Sequence, residues 1–258
     1  MVNEANSNLK KSRQLLNKVP EITIFFWVIK ILTTGMGEVT SDFFVLHFDP
    51  VITVIIAGLM LVITLVVQIS AKRYKAYLYW FTVVMVSVFG TMSADVLHVV
   101  LGIPYTISTT FFVISLAIIF ILWYKTEKTL SIHSIYTKRR ELFYWATILA
   151  TFALGTATGD MTATTMHLGY FMSGVMFAII ILIPAIAYWK FGVSEIFTFW
   201  FAYIITRPLG ASFADWMGVE KYRGGLGIGT GPVSLVLGVI IVIFVGFMTI
   251  SKIDVKKD

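Results

Sequence analysis

Cysteine is absent from the 258 residues, which removes disulfides, thiolate metal sites and cysteine nucleophiles together. Charge is almost as scarce. Asp, Glu, Lys and Arg make up 13% of the chain, against about 25% in a soluble globular domain. No GxxxxGK phosphate loop and no HExxH occurs, so neither a nucleotide site nor a zincin site is written in the chain. A run of basic residues interleaved with aromatics is also missing, and the pI of 9.4 needs an explanation other than nucleic acid.

What fills the chain instead is apolar: 58% hydrophobic residues and a mean hydropathy of +0.87, values of an integral membrane protein whose first partner is the lipid bilayer. A spanning helix needs about 20 apolar residues, and eight stretches meet that length, near 22–46, 51–70, 77–100, 106–124, 142–167, 169–189, 196–216 and 232–251. The first twenty residues are polar and basic without an apolar core and cleavage site, so residues 1–21 are read as a cytoplasmic segment and not as a cleaved signal. Residues 22–251 form the membrane domain, and 252–258 a short tail. Sixteen of the twenty Lys and Arg lie in the termini and in the connections after the second, fourth and sixth stretches; the opposite connections hold only Lys221 and Arg223. The positive-inside rule then places both termini in the cytoplasm and accounts for the basic excess.

One spacing recurs four times without an insertion. Trp27-x9-Gly37-x4-Asp42, Trp80-x9-Gly90-x4-Asp95, Trp145-x9-Gly155-x4-Asp160 and Trp200-x9-Gly210-x4-Asp215 all obey it. A given Trp has Gly ten and Asp fifteen residues on with a chance of roughly 0.002 at this composition; four of the seven Trp do. Each motif sits on an odd-numbered helix and each is followed by a helix with no charge in its apolar stretch. The expectation is an all-α bundle of four parallel two-helix repeats, near 22–70, 77–124, 142–189 and 196–251, with the odd helices inside and the even helices on lipid. Trp27, Trp80, Trp145 and Trp200 open their helices at the basic side and are expected to anchor them at the headgroup boundary. Gly37, Gly90, Gly155 and Gly210 are expected where helices pack closely.

At 1.5 Å per residue, fifteen residues carry each Asp about 22 Å beyond its Trp, so all four carboxyls share one depth in the outer third of the membrane. Positions eight, eleven and fifteen after the Trp lie on one helix face. Position eleven reads Glu38, Thr91, Thr156 and Ala211. The ion-pathway candidates are therefore Asp42, Asp95, Asp160, Asp215, Glu38, Thr91 and Thr156, with Lys30 and Arg207 compensating charge. Five acids against two bases leave a formal −3, which asks for protons or a cation. Oxygen donors suit a hard divalent metal; Asp95-x2-His98 adds one imidazole at i, i+3, making Asp42, Asp95, Asp160, Asp215 and His98 the metal-ligand candidates. A bound divalent cation is the one cofactor such residues imply. Pro208 should kink its helix. The glycine-rich segment MGVEKYRGGLGIGTGP is positioned to fold back over the acids.

KVPEITIFFWVIKILTTGMGEVTSD, residues 18–42, resembles the best-marked repeat of a bacterial membrane-protein family of unknown function, built from four tandem repeats that each carry two transmembrane segments and a tryptophan. The resemblance runs from Lys18 to Ser251 and implies eight helices in a bacterial inner membrane. It implies no substrate. From the residues themselves, the first reading is a gradient-driven transporter or channel for a small cation, a divalent metal foremost, with proton coupling through the same carboxyls. The second is a structural or regulatory membrane protein, as a single copy or an oligomer, whose acids cap and tie helices. An intramembrane aspartyl enzyme ranks last, because Thr158-Gly159-Asp160 lacks the first Gly of a Gly-x-Gly-Asp element and no Tyr-Asp partner occurs.

Overall fold

The computed structural model describes residues 17–255. Eight long helices account for most of them: α1 (Ile24–His47), α2 (Pro50–Ser70), α3 (Ala76–Asp95), α4 (Tyr105–Glu127), α5 (Lys138–Asp160), α6 (Gly169–Phe191, in two segments meeting at Ile181), α7 (Glu195–Gly218) and α8 (Thr230–Ser251). Their starts carry ordinary chemistry. Thr23 and Thr137 each cap a helix through Oγ1, and Asp49 accepts from the Ile52 amide at 2.9 Å with Pro50 in the first turn. Six of the eight are long and apolar enough to cross a membrane; α1 and α7 are as long but hold three charges each, Lys30, Glu38 and Asp42 in one and Glu195, Arg207 and Asp215 in the other.

The four odd helices form a closed ring in which α1 packs on α3, α3 on α5, α5 on α7 and α7 on α1. Each even helix leaves its own repeat and lies mainly against the inner helix of the next, α2 on α3, α4 on α5, α6 on α7 and α8 on α1. That handover closes the circle. Between 17 and 28% of the apolar stretches of α2, α4, α6 and α8 is buried, against 61 and 67% for α3 and α5, so the outer helices present Leu, Ile, Val and Phe outward. A surface of that kind is stable only where hydrocarbon replaces water.

At the tryptophan end the ring is made of aromatic side chains. The residue before each Trp packs at a tilt against the Trp of the neighbouring repeat: Phe26 on Trp80 at 5.6 Å between centroids, Tyr79 on Trp145 at 5.6 Å, Tyr144 on Trp200 at 6.2 Å and Phe199 on Trp27 at 5.7 Å. Each such pair adds about 0.5–1.5 kcal/mol beyond its burial. Trp80, Trp145 and Trp200 are buried and Trp27 is half-buried. Trp80, Trp145 and Trp200, expected as headgroup anchors, thus face inward, and each of the four indoles is covered by a ring from the preceding repeat around the circle.

Ten residues above each Trp the backbones come close. A Cβ on Gly37 would stand 1.7 Å from Ser87 Oγ, on Gly90 2.7 Å from Phe152 Cβ, on Gly155 2.1 Å from Arg207 Cγ and on Gly210 1.8 Å from Thr34 Oγ1. In every case the neighbour is position seven of the next repeat, counted around the ring. Ser87 Oγ donates to the Thr33 carbonyl at 2.9 Å, and Thr34 Oγ1 lies 3.3 Å from the Thr206 carbonyl, so position seven of one repeat reaches position six of the one before. α7 runs through Pro208 as one helix.

Candidate functional site

Four-residue steps place successive side chains of the inner helices on the ring axis. Position three contributes Lys30, Val83, Ile148 and Tyr203, all buried. Position seven contributes Thr34, Ser87, Phe152 and Arg207, and position eleven Glu38, Thr91, Thr156 and Ala211. The first three repeats meet at position eleven, where the fourth has only a methyl group. Arg207 reaches into that level from position seven and completes it. Its Nη2 donates to Glu38 Oε2 at 2.7 Å and to Thr156 Oγ1 at 2.7 Å, and also bonds Thr91 Oγ1; Nη1 donates to the Thr34 carbonyl at 3.2 Å. Thr91 and Thr156 also lie 3.3 and 3.1 Å from Glu38 Oε2. Four repeats therefore share one buried ion pair with two hydroxyls, the arrangement an intramembrane charge requires.

Above this level, one helical turn further along each inner helix, stand Asp42, Asp95, Asp160 and Asp215. Among the described residues none of the four carboxylates makes a side-chain hydrogen bond or ion pair, in contrast to Glu38. Asp42, Asp95 and Asp160 are half-buried and Asp215 is buried at 6% exposure. α3 and α5 change to π-helix immediately after Asp95 and Asp160, over Val96–Val100 and Met161–Thr165, whereas α1 and α7 run on as α-helix. π-turns open a helix where a site needs room.

Two expectations for charge and metal are corrected here. Lys30 does not pair with an acid: it is buried, and its Nζ faces the rings of Phe152 and Tyr203. His98 does not join Asp95. The π-helix takes it off the i, i+3 face, and its Nδ1 is 3.0 Å from the Ile103 carbonyl, its Nε2 3.2 Å from Ser108 Oγ and its ring 3.9 Å from that of Tyr105. Among the described residues no three His, Asp or Glu side chains stand in metal-ligating arrangement, so Asp42, Asp95, Asp160, Asp215 and His98 do not make a preformed centre. Of the basic residues used for orientation, Lys10, Lys11, Arg13, Lys256 and Lys257 lie outside the described residues.

The segment after α7 folds back on that helix, with Leu226 donating to the Trp216 carbonyl at 2.7 Å and Ile228 to that of Met217 at 3.1 Å. This return carries Arg223 to the aspartate end, where Nη2 is 3.2 Å from Tyr170 Oη. Sequence spacing did not single out Arg223, since it lies in the connection of the fourth repeat and has no counterpart in the shared Trp-Gly-Asp spacing. The ring residues Phe26, Tyr79, Tyr144 and Phe199 were also missed, although an aromatic directly before every repeat Trp is a visible signal.

Four helical hairpins closed into a ring, with a polar axis and an apolar outside, define a membrane-type repeat bundle. The chain belongs to the family described as Repeat of Unknown Function (DUF347), whose model matches four times, over residues 25–74, 78–129, 143–193 and 198–254. No curated protein and no solved structure matches the chain.

Proposed function

We propose that the protein is a gradient-driven transporter or channel for a small cation, crossing a bacterial inner membrane eight times with both termini in the cytoplasm. The observation that carries this reading is the contrast between two acidic levels on one axis. Glu38 Oε2 meets Arg207, Thr91 and Thr156, while the four aspartates one turn above have no side-chain partner among the described residues. A structural acid finds a donor, as Glu38 does; four close carboxyls without donors are stable only with protons or a cation between them. Oxygen donors alone favour hard ions, divalent ones first, held through water in the absence of a preformed ligand set. The same carboxyls exchange protons, which supplies coupling to a proton gradient. Below them the Arg207–Glu38 pair closes the axis, and passage requires that pair to open.

Six apolar helices of spanning length support eight crossings, because α1 and α7, as long as the rest, pack against the others and need not be apolar themselves. The test is flux of a cation panel, protons included, in proteoliposomes. Wild type carries at least one ion, and Asp95→Asn with Asp160→Asn lowers that flux by about tenfold or more with the thermal unfolding unchanged. Wild-type vesicles that stay tight to every cation tested would sink the reading in favour of a structural role.

A further inference from the structure

Lys30 is the unexplained buried base in this molecule. It is 1% exposed, and Nζ has no hydrogen-bond partner among the described residues. Its neighbours are two ring faces, Phe152 with its centroid at 4.0 Å and Tyr203 at 4.2 Å. Rings at this distance recognise a cation through their quadrupoles and do so most strongly away from water. Nothing in the local helix demands the charge. Position three is Val83, Ile148 and Tyr203 in the other repeats, and a packed core prefers such residues to an ammonium with unmet donors. Nor does a nearby acid hold it, since the Glu38 carboxylate is taken by Arg207, whose Cζ lies 5.1 Å from the same Phe152 ring. The level below is closed by the Tyr79 and Tyr144 hydroxyls, 2.5 Å apart.

We infer that the faces of Phe152 and Tyr203 form a cation site on the ring axis, and that the Lys30 ammonium is its tethered occupant. The site takes a primary ammonium or a monovalent cation of similar size, by ring faces and not by carboxylates. It is distinct from the aspartate level, and it rests on the transport reading only in its consequence: a cation moving along the axis must displace Lys30 from the cage.

Lys30→Ala removes three methylenes and the ammonium and leaves a space of propylammonium shape. The experiment adds propylammonium chloride, or 1-propanol as a neutral molecule of the same size, to the purified full-length variant and follows thermal unfolding. The expected result is a saturable rise of about 2–4 °C with propylammonium, little with propanol, none in wild type and none in Lys30→Ala with Phe152→Leu. An equal rise with propanol, or no rise with either, overturns the cation site. Should Lys30→Ala not fold, Lys30→Val, which copies Val83 of the second repeat, carries the same assay with ethylammonium against ethanol. In proteoliposomes, propylammonium should then lower cation flux through Lys30→Ala and leave wild type unchanged. Ammonium binding with no flux in either protein overturns the transport reading and leaves the cage standing; flux without ammonium binding overturns the cage alone.

Discussion

The inner and outer helices of this ring come from the same four-fold repeat and obey different rules. α1, α3, α5 and α7 touch protein on nearly every side, and each keeps a glycine at the point where its neighbour presses closest. α2, α4, α6 and α8 touch protein along one stripe; Gly246 in α8 has nothing within 4 Å of where a Cβ would stand. Every inner helix thus has a glycine at its closest approach, whereas in the outer layer some glycines meet an aromatic ring, as Gly58 meets Phe89, and others, like Gly246, meet nothing. The difference teaches that specificity is concentrated where backbones and polar groups meet, while the outward-facing layer need only be apolar and long.

The comparison breaks most sharply at the shared ion pair. Arg207→Met leaves Glu38 buried with two hydroxyls and no cation, and should lower unfolding stability in detergent by about 3–5 kcal/mol. Adding Glu38→Gln should recover most of that loss, since the charge without a partner is removed with it; a double variant as unstable as the single would show that Arg207 acts through packing. Next comes Gly155→Ala, whose Cβ would stand 2.1 Å from Arg207 Cγ and 2.6 Å from its Cβ, atoms fixed close to the α7 backbone. A loss of about 1–3 kcal/mol is expected there, against a change within about 0.5 kcal/mol for Gly246→Ala; equal effects would erase the distinction between layers. The smallest effect concerns the aromatic ring. Tyr144→Phe removes the hydroxyl facing that of Tyr79 and should cost about 0.5–1.5 kcal/mol, while Trp189→Phe, 87% exposed at the end of α6, should stay within about 0.5 kcal/mol.

Much of the fold was legible because a repeat makes its own alignment. The fixed spacing of Trp, Gly and Asp identified four units, and the absence of charge from every second helix identified the outer layer. The glycines marked close approach correctly as a physical requirement, yet spacing alone does not say which neighbour approaches; only the ring assigns Gly155 to Arg207 and Gly210 to Thr34. The tryptophans show the opposite case. Indole at a helix start suits the headgroup boundary in general, but here Phe26, Tyr79, Tyr144 and Phe199 cover the indoles from the side. Pairings across helices are invisible to periodicity on one helix. His98 was misjudged for a related reason: the i, i+3 rule presumes an α-helix, and Val96–Val100 is wound wider.

The chain by itself determined the number of repeats and the apolar character of the outer helices, because composition and spacing along a helix set those directly. The tertiary structure alone decided that the repeats close in cyclic order, that Glu38 takes Arg207 from the fourth repeat, and that Lys30 faces two rings instead of an acid. Those outcomes depend on which side chains meet across the axis, and contacts between residues as far apart as Glu38 and Arg207 are settled by packing, not by local sequence.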